Sequence, residues 1–220
     1  MRALVIGASG GIGSAVAAEL VARGWDVLGR SRRDDGLDVT DEVSVEAMFA
    51  RIEDPLDLVF VATGALHCSA PRPEKAVREI TADEAIAQFQ LNALGPLLVL
   101  KHALALMPKN RRSVFAALSA RVGSIGDNRL GGWHSYRASK AALNQLIHGA
   151  AVELARTHPE AIAVVLHPGT VATPFTQKFA ASHSRVPADA AARQLLDVIA
   201  HLQKADSGGF FDAKGSPVPW

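Results

Sequence analysis

Tyr136 and Lys140 stand four residues apart in the run Ser-Tyr-Arg-Ala-Ser-Lys. On a helix, residues at that spacing share a face, so the phenol and the ammonium point into one site. A free phenol titrates at about 10, a poor match for proton transfer at neutral pH, and a neighbouring cation favours the phenolate and lowers that value. A second chemical signal lies near the N-terminus, where Gly7-Ala-Ser9-Gly-Gly11-Ile12-Gly13 follows the apolar run Leu4-Val5-Ile6. Glycines at a strand-to-helix turn let the backbone approach a pyrophosphate and rest it on the helix N-terminus. That loop points to a bound dinucleotide. A nucleoside-cofactor methyltransferase has a similar loop, but no use for Tyr136 and Lys140.

The end of the next strand selects between dinucleotides. NAD-binding chains place a carboxylate there for the ribose 2′-hydroxyl. Here the slot falls on Ser31, with Arg30 before it and Arg32 and Arg33 after it, and no carboxylate precedes Asp34. A hydroxyl beside guanidinium forks suits a 2′-phosphate, so the expected cofactor is NADP(H); the bland alternative is a solvated basic turn. Farther on, Pro96 has no N–H, so the carbonyl of Asn92 loses its helical partner and is free to hold a water at a kink.

The elements that must position these groups alternate between strand and helix. Strands are expected at 4–6, 26–28, 58–61, 114–118, 162–166 and 209–211. Helices are expected over 14–23, from an N-cap at Thr40 to Ile52, over 83–107 without a break, over 135–156 and over 188–203. Residues 65–80 and 123–132 read as loops. Apolar strands alternating with helices imply βαβ units, hence a single α/β domain over 1–220. That is a Rossmann fold, a doubly wound, mostly parallel sheet with helices on both faces. The 220 residues are 49% hydrophobic and 20% charged, which supports a full core. The net charge of +1 argues against clamping nucleic acid, and the single cysteine against a disulfide framework or a cysteine-based zinc site. No metal is expected, since the eight histidines form no pair at ligand spacing on one helix. No apolar run reaches membrane-spanning length, and the N-terminus lacks a signal-peptide layout, so a cytoplasmic protein without membrane attachment is expected.

Taken together, the loop at Gly7 to Gly13, Asp38-Val39, Asn92, Tyr136 with Lys140, and Pro168-Gly169-Thr170-Val171-Ala172-Thr173 resemble the short-chain dehydrogenase/reductase family over nearly the whole chain. The text Gly-Gly-Trp-His-Ser-Tyr136-Arg-Ala-Ser-Lys140-Ala-Ala-Leu-Asn and the terminal Gly-Ser-Pro-Val-Pro-Trp220 resemble its C-factor-like and sniffer-like carbonyl reductase branch. The resemblance implies that Tyr136 is the general acid/base, that Lys140 lowers its pKa and binds ribose, and that Asn92 holds a relay water. It implies that Asp38, following a third strand, contacts the adenine amine with the backbone of Val39 beside it, and that Thr173 contacts the nicotinamide carboxamide. Gly7, Ser9, Gly11, Ile12, Gly13, Ser31, Arg32, Arg33, Gly64, Pro168, Gly169 and Val171 complete the cofactor set. A serine after the strand 114–118 would polarise the carbonyl of a small-molecule ketone or aldehyde.

The chain departs from the family pattern in three places. Asn-Asn-Ala-Gly is replaced by Val61-Ala62-Thr63-Gly64. Counting back three residues from Gly123 lands on Ala120, which leaves Ser119 as the preferred serine and Ser124 as the fallback. Residues 34–37 leave little room for a helix, so that sheet edge should be thinly covered. His67 and Cys68 read as loop filler, Trp133 and His134 as walls of the substrate site, and Phe175 and Phe179 as part of a lid. The family also pairs its long helix and its Tyr-bearing helix across a two-fold axis. This implies a homodimer or a dimer of dimers through Ala103, Leu104, Met107, Leu146, Ala150 and Leu154. The competing function is a dinucleotide-binding signalling or regulatory protein without meaningful turnover.

Overall fold

A computed structural model describes residues 1–179 and 185–220, with the backbone alone for 177–179. Arg2–Ile6 forms β1, and its last four residues are fully buried. A strand sealed on both sides needs helices on both faces, which the rest of the chain supplies. The order is β1, α1 (Gly11–Ala22), β2 (Asp26–Arg30), α2 (Arg32–Asp35), α3 (Glu42–Phe49), β3 (Leu58–Val61), α4 (Ala82–Phe89), a π-helical turn (Gln90–Leu94), α5 (Gly95–Ala103), β4 (Ser113–Leu118), α6 (His134–Thr157), β5 (Ala161–His167), α7 (Ala188–His201) and β6 (Phe210–Asp212). All six strands are parallel, in the order β2-β1-β3-β4-β5-β6. The order reverses beside β1, and ligands of such sheets bind outside the carboxyl ends of the strands at that point.

On one face, Ile6, Val61, Phe115 and Val165 meet Val45, Val99, Leu143 and Ile147 from α3, α5 and α6. On the other, Val5, Phe60, Ala116 and Val164 meet Val16 and Leu20 of α1 and Leu195 and Ile199 of α7. The doubly wound α/β domain expected from the sequence is therefore the observed fold.

Three local expectations are corrected. The helix over 83–107 is not continuous. It widens at Gln90–Leu94, restarts at Gly95 and ends at Ala103. A Cβ on Gly95 would lie 2.9 Å from Val39 Cγ2, so the glycine lets this helix close on Val39, and Pro96 follows as a helix-starting residue. No strand forms before Asp38. The chain takes the single turn α2 instead, and Leu37 and Val39 reach the core from loop backbone, leaving β2 as a half-buried edge. The cap of α3 is Asp41, whose carboxylate accepts the Val43 N–H. Thr40 instead donates both its N–H and its hydroxyl to Asp38.

Candidate active site

The carboxyl ends of β1, β3, β4 and β5 surround a cavity of about 350 Å³. Ser9, Gly11, Ile12, Gly13, Gly64, Pro168, Gly169, Val171 and Thr173 line it, together with Ser119, Tyr136 and Lys140. Most of the residues singled out from the sequence thus converge on one space. A larger hollow of about 520 Å³ between α7 and the turn after β6 contains none of them.

The glycine loop is built for close approach. Gly7 has φ +85°, and a Cβ on Gly13 would sit 2.2 Å from the Gly7 carbonyl oxygen. A Cβ on Gly11 would sit 2.5 Å from the Thr173 side chain, so bare backbone here leaves room that any other residue would fill. Across the cavity, Thr63 Oγ1 is buried and has no hydrogen-bond partner among the described residues. A pre-formed backbone cradle at a helix N-terminus and an unsatisfied hydroxyl fit a phosphate-linked dinucleotide.

Beside this loop, Gly7 N–H donates to the Arg30 carbonyl, which ties the cradle to the end of β2. Ser31 is buried and caps α2, accepting the Asp34 N–H at 3.0 Å. Two carboxylates fold back toward this slot. Asp35 accepts the Ser31 N–H at 2.8 Å, and Asp34 pairs with Arg33 at 2.7 Å. Arg33 also reaches the Ser9 carbonyl at 3.5 Å. Arg32 is exposed and makes no ion pair among the described residues, and its charge acts on Asp38 and Cys68. The Asp38 carboxyl is held below its usual range by the Thr40 hydroxyl and N–H. Ser31, Arg32, Arg33, Asp38 and Val39 lie outside the cavity lining.

Tyr136 and Lys140 lie in the first turns of α6, both buried. Lys140 Nζ donates to the Leu118 carbonyl at 2.8 Å and lies 5.9 Å from the Tyr136 ring centre. The expected lowering of the phenol by its lysine is not what the protein alone produces. Burial pushes the Tyr136 phenol up, and burial pushes the Lys140 ammonium down to about 7. Both groups are sealed from the water that would stabilise their charged forms. The Tyr136 ring is held between two aromatics, Trp133 edge-on and Phe175 tilted, each with ring centres 6.3 Å away. Trp133 has φ 50°, costly for a residue with a Cβ, and it follows Gly131 and Gly132 in the same left-handed region. Phe175 stands where the lid was expected; the side chain of Phe179 lies outside the described residues.

Of the two candidate serines, Ser119 reaches the cavity and Ser124 does not. Ser124 Oγ accepts the Asp127 N–H at 3.1 Å. The Ser119 hydroxyl donates to Asn144 Oδ1 at 2.6 Å.

Asn92 is fully buried in the π-helical turn behind Gly64, where a Cβ would lie 3.0 Å from its Oδ1 and 3.3 Å from Lys140 Nζ. Its amide grips the backbone of Ala65, accepting the N–H at 2.8 Å and donating to the carbonyl at 2.9 Å, and also donates to Ser139 Oγ at 3.1 Å. Gln88 accepts from Asn92 and donates to Glu84. Glu84 collects the N–H groups of Cys68, Ser69 and Ala70. Burial opposes its charge, but these donors hold the carboxyl down to about 2. Glu84, Gln88 and Asn92 thus form a polar ladder that fastens residues 65–70. Its four-residue spacing was visible in the sequence, but three polar residues on an amphipathic helix look like a solvated face. Glu74 was likewise missed. It is buried, accepts the Ser135 hydroxyl, and its carbonyl accepts the Trp133 N–H, anchoring the start of α6. His67 and Cys68 lie outside the cavity lining, as loop residues should, and so do Trp133 and His134.

Among the described residues no group of three or more potential ligands could hold a metal, and no helix is long and apolar enough to cross a membrane. Residues 35–184 match the family model of the short chain dehydrogenases. A 1-hydroxy-2-glutathionyl-2-methyl-3-butene dehydrogenase from Rhodococcus sp. strain AD45 is 33% identical over 99% of this chain and 98% of its own length. A Burkholderia multivorans structure titled as a short-chain dehydrogenase/reductase, with bound NADP, superposes with a TM-score of 0.85 at 30% identity, covering 100% of this chain and 99% of its own. The NADPH-bound carbonyl reductase from chicken fatty liver superposes at 0.83 with 25% identity, covering 100% and 98%. With its glycine cradle, its buried tyrosine–lysine pair and these matches, the chain belongs to the short-chain dehydrogenase/reductase family.

Proposed function

We propose that this oxidoreductase uses NADP(H) to reduce a ketone or aldehyde to an alcohol, with Tyr136 as the general acid. The observation that carries the reading is the placement of Tyr136 and Lys140 in the same buried cavity as the glycine cradle. When bound there, the nicotinamide supplies a hydride to the carbonyl carbon. Tyr136 supplies the proton to the carbonyl oxygen, and burial keeps its phenol protonated at neutral pH, as a proton donor must be. Lys140 stands where its ammonium, once charged, favours the phenolate left after proton transfer. Asn92 and Ser139 fix the backbone around this pair. The same protonated phenol favours reduction over alcohol oxidation, although the Rhodococcus relative is named for a dehydrogenase reaction. The panel that tests the reading is NADPH oxidation with ketones, aldehydes and quinones. Turnover of at least one carbonyl is expected, whereas tight NADPH binding without any turnover would favour the regulatory reading.

The cofactor preference rests on Arg32. Its guanidinium makes no ion pair among the described residues, while Arg33 is occupied by Asp34, so Arg32 is the fork available to a 2′-phosphate. NADPH should bind at least about tenfold tighter than NADH, a difference of roughly 1.4 kcal/mol. Fluorescence titration of Arg32→Ala should show most of that preference gone, and Arg33→Ala should change it less. Equal affinities for the two cofactors in the unmodified protein would sink the assignment.

We further propose a homodimer through α4 and α6, with a dimer of dimers as the larger alternative, and a cytoplasmic location that suits the exposed, unpaired Cys68. The contact residues expected from the sequence need correction. Ala103, Met107 and Leu154 are buried within the chain, and Leu104, Leu146 and Ala150 pack against its core. The apolar side chains these helices leave exposed are Ile86, Phe89 and Val152. Sedimentation at micromolar concentration should give twice the monomer mass, and Phe89→Asp with Val152→Asp should halve it. A unit charge at Leu154 would damage folding instead.

A further inference from the structure

His167 ends β5, one residue before Pro168, and is among the residues that line the cavity with Ser119, Tyr136 and Lys140. Its Nδ1 is sealed from solvent and has no hydrogen-bond partner among the described residues. An orphaned ring nitrogen in a cavity wall costs stability unless something that enters the cavity satisfies it. β4 and β5 run in parallel register with Leu118 beside Leu166, so Ser119 and His167 follow on neighbouring strand ends. The Ser119 hydroxyl donates its hydrogen bond to Asn144 Oδ1. A carbonyl oxygen that gains negative charge during reduction needs a hydrogen-bond donor besides the acid, and donors aimed at that charge carry a large share of catalysis. We propose that His167, as a neutral imidazole with its proton on Nδ1, is a catalytic residue that donates a hydrogen bond to the substrate's carbonyl oxygen alongside Tyr136. Burial, then Arg121, push this imidazole down to about 4 against the opposing pull of Asp212. It therefore carries one N–H across the working pH range. Neutral imidazoles serve as electrophiles of this kind in other enzymes.

This inference rests on the reductase reading, and its test separates the two. The full chain with NADPH is assayed on 4-nitrobenzaldehyde, or on the carbonyl of the panel with the highest kcat/KM. His167→Leu should lower kcat about 100-fold with little change in KM or in NADPH affinity. His167→Asn, which restores an N–H near the Nδ1 position, should recover most of the loss. In the NADPH complex of the unmodified protein, 4-nitrobenzamide, a carbonyl that is not reduced, should shift the ¹⁵N resonance of His167 Nδ1. The inference is overturned if the unmodified protein turns over and the leucine variant keeps its kcat, if the leucine variant loses NADPH affinity in place of kcat, or if asparagine does no better than leucine. An unshifted Nδ1 resonance overturns it as well. Absence of turnover with every carbonyl in the unmodified protein removes the reductase reading itself, and this inference with it.

Discussion

Tyr136→Phe loses carbonyl reduction by about 10³-fold in kcat while binding NADPH as the unmodified protein does. The phenol hydrogen is the one atom removed that the reaction uses. The ring stays, so its contacts with Trp133 and Phe175 stay. Burial holds the phenol above its ordinary value, so Tyr136 itself should keep its proton through neutral pH and lose it only in alkali. The chain contains a single tyrosine, so the ultraviolet band of the phenolate reports this group alone. Titration of that band in the protein without cofactor should place Tyr136 above the free phenol. A phenolate already formed at neutral pH would contradict the proton-donor role.

Lys140→Met should also cost most of the activity, yet it should make the cofactor-free protein more stable. The lysine is buried and its ammonium is pushed from 10.5 down to about 7. Between those two values the unfolded chain holds a proton that the folded chain does not. Folding stability therefore rises with pH across that window, and at pH 7 the buried lysine costs up to the order of 4 kcal/mol. Methionine removes that cost and fills similar space, but it leaves the Leu118 carbonyl without its donor, a loss of about 1–3 kcal/mol. A net gain of about 2 kcal/mol corresponds to a Tm rise of roughly 4–8 °C at pH 7. The advantage should shrink as pH rises to 10.5 and beyond, because the unfolded chain's lysine then loses its proton as well. Paired melting curves at pH 7 and in alkali check this. A variant less stable at pH 7 would mean that the ammonium is well solvated where it stands.

The chemistry was more legible than its supports. The glycine loop, Tyr136 with Lys140 and the Pro168–Thr173 run announce themselves because turn geometry and helical spacing leave few substitutes, and all three reach the cavity. The strand and helix alternation gave the sheet for the same reason, since continuous apolar runs such as Leu58–Val61 have only one stable home. The break at Gln90–Leu94 was half legible. Pro96 marked the place, but the extra residue in the turn leaves no trace in the apolar period. The residues offered for a dimer contact pack inward, because an apolar helix stripe reads the same whether it meets the sheet or a second copy. Thr63 and His167 were invisible for a different reason: a hydroxyl or imidazole after a strand is ordinary until its burial and lack of a partner are known. The two serines could be counted but not separated, because the path of the loop between them, which leaves Ser119 in the cavity lining and ties Ser124 to the Asp127 N–H, is not written in the spacing.

Transfer of label from NADPH carrying deuterium at C4 of the nicotinamide tests the central claim most directly. The products from the ketone and aldehyde panel would be read by mass spectrometry and proton NMR. Deuterium should appear on the carbinol carbon of at least one alcohol in the unmodified protein and be absent with Tyr136→Phe. NADPH that binds tightly yet passes no deuterium to any carbonyl would contradict it.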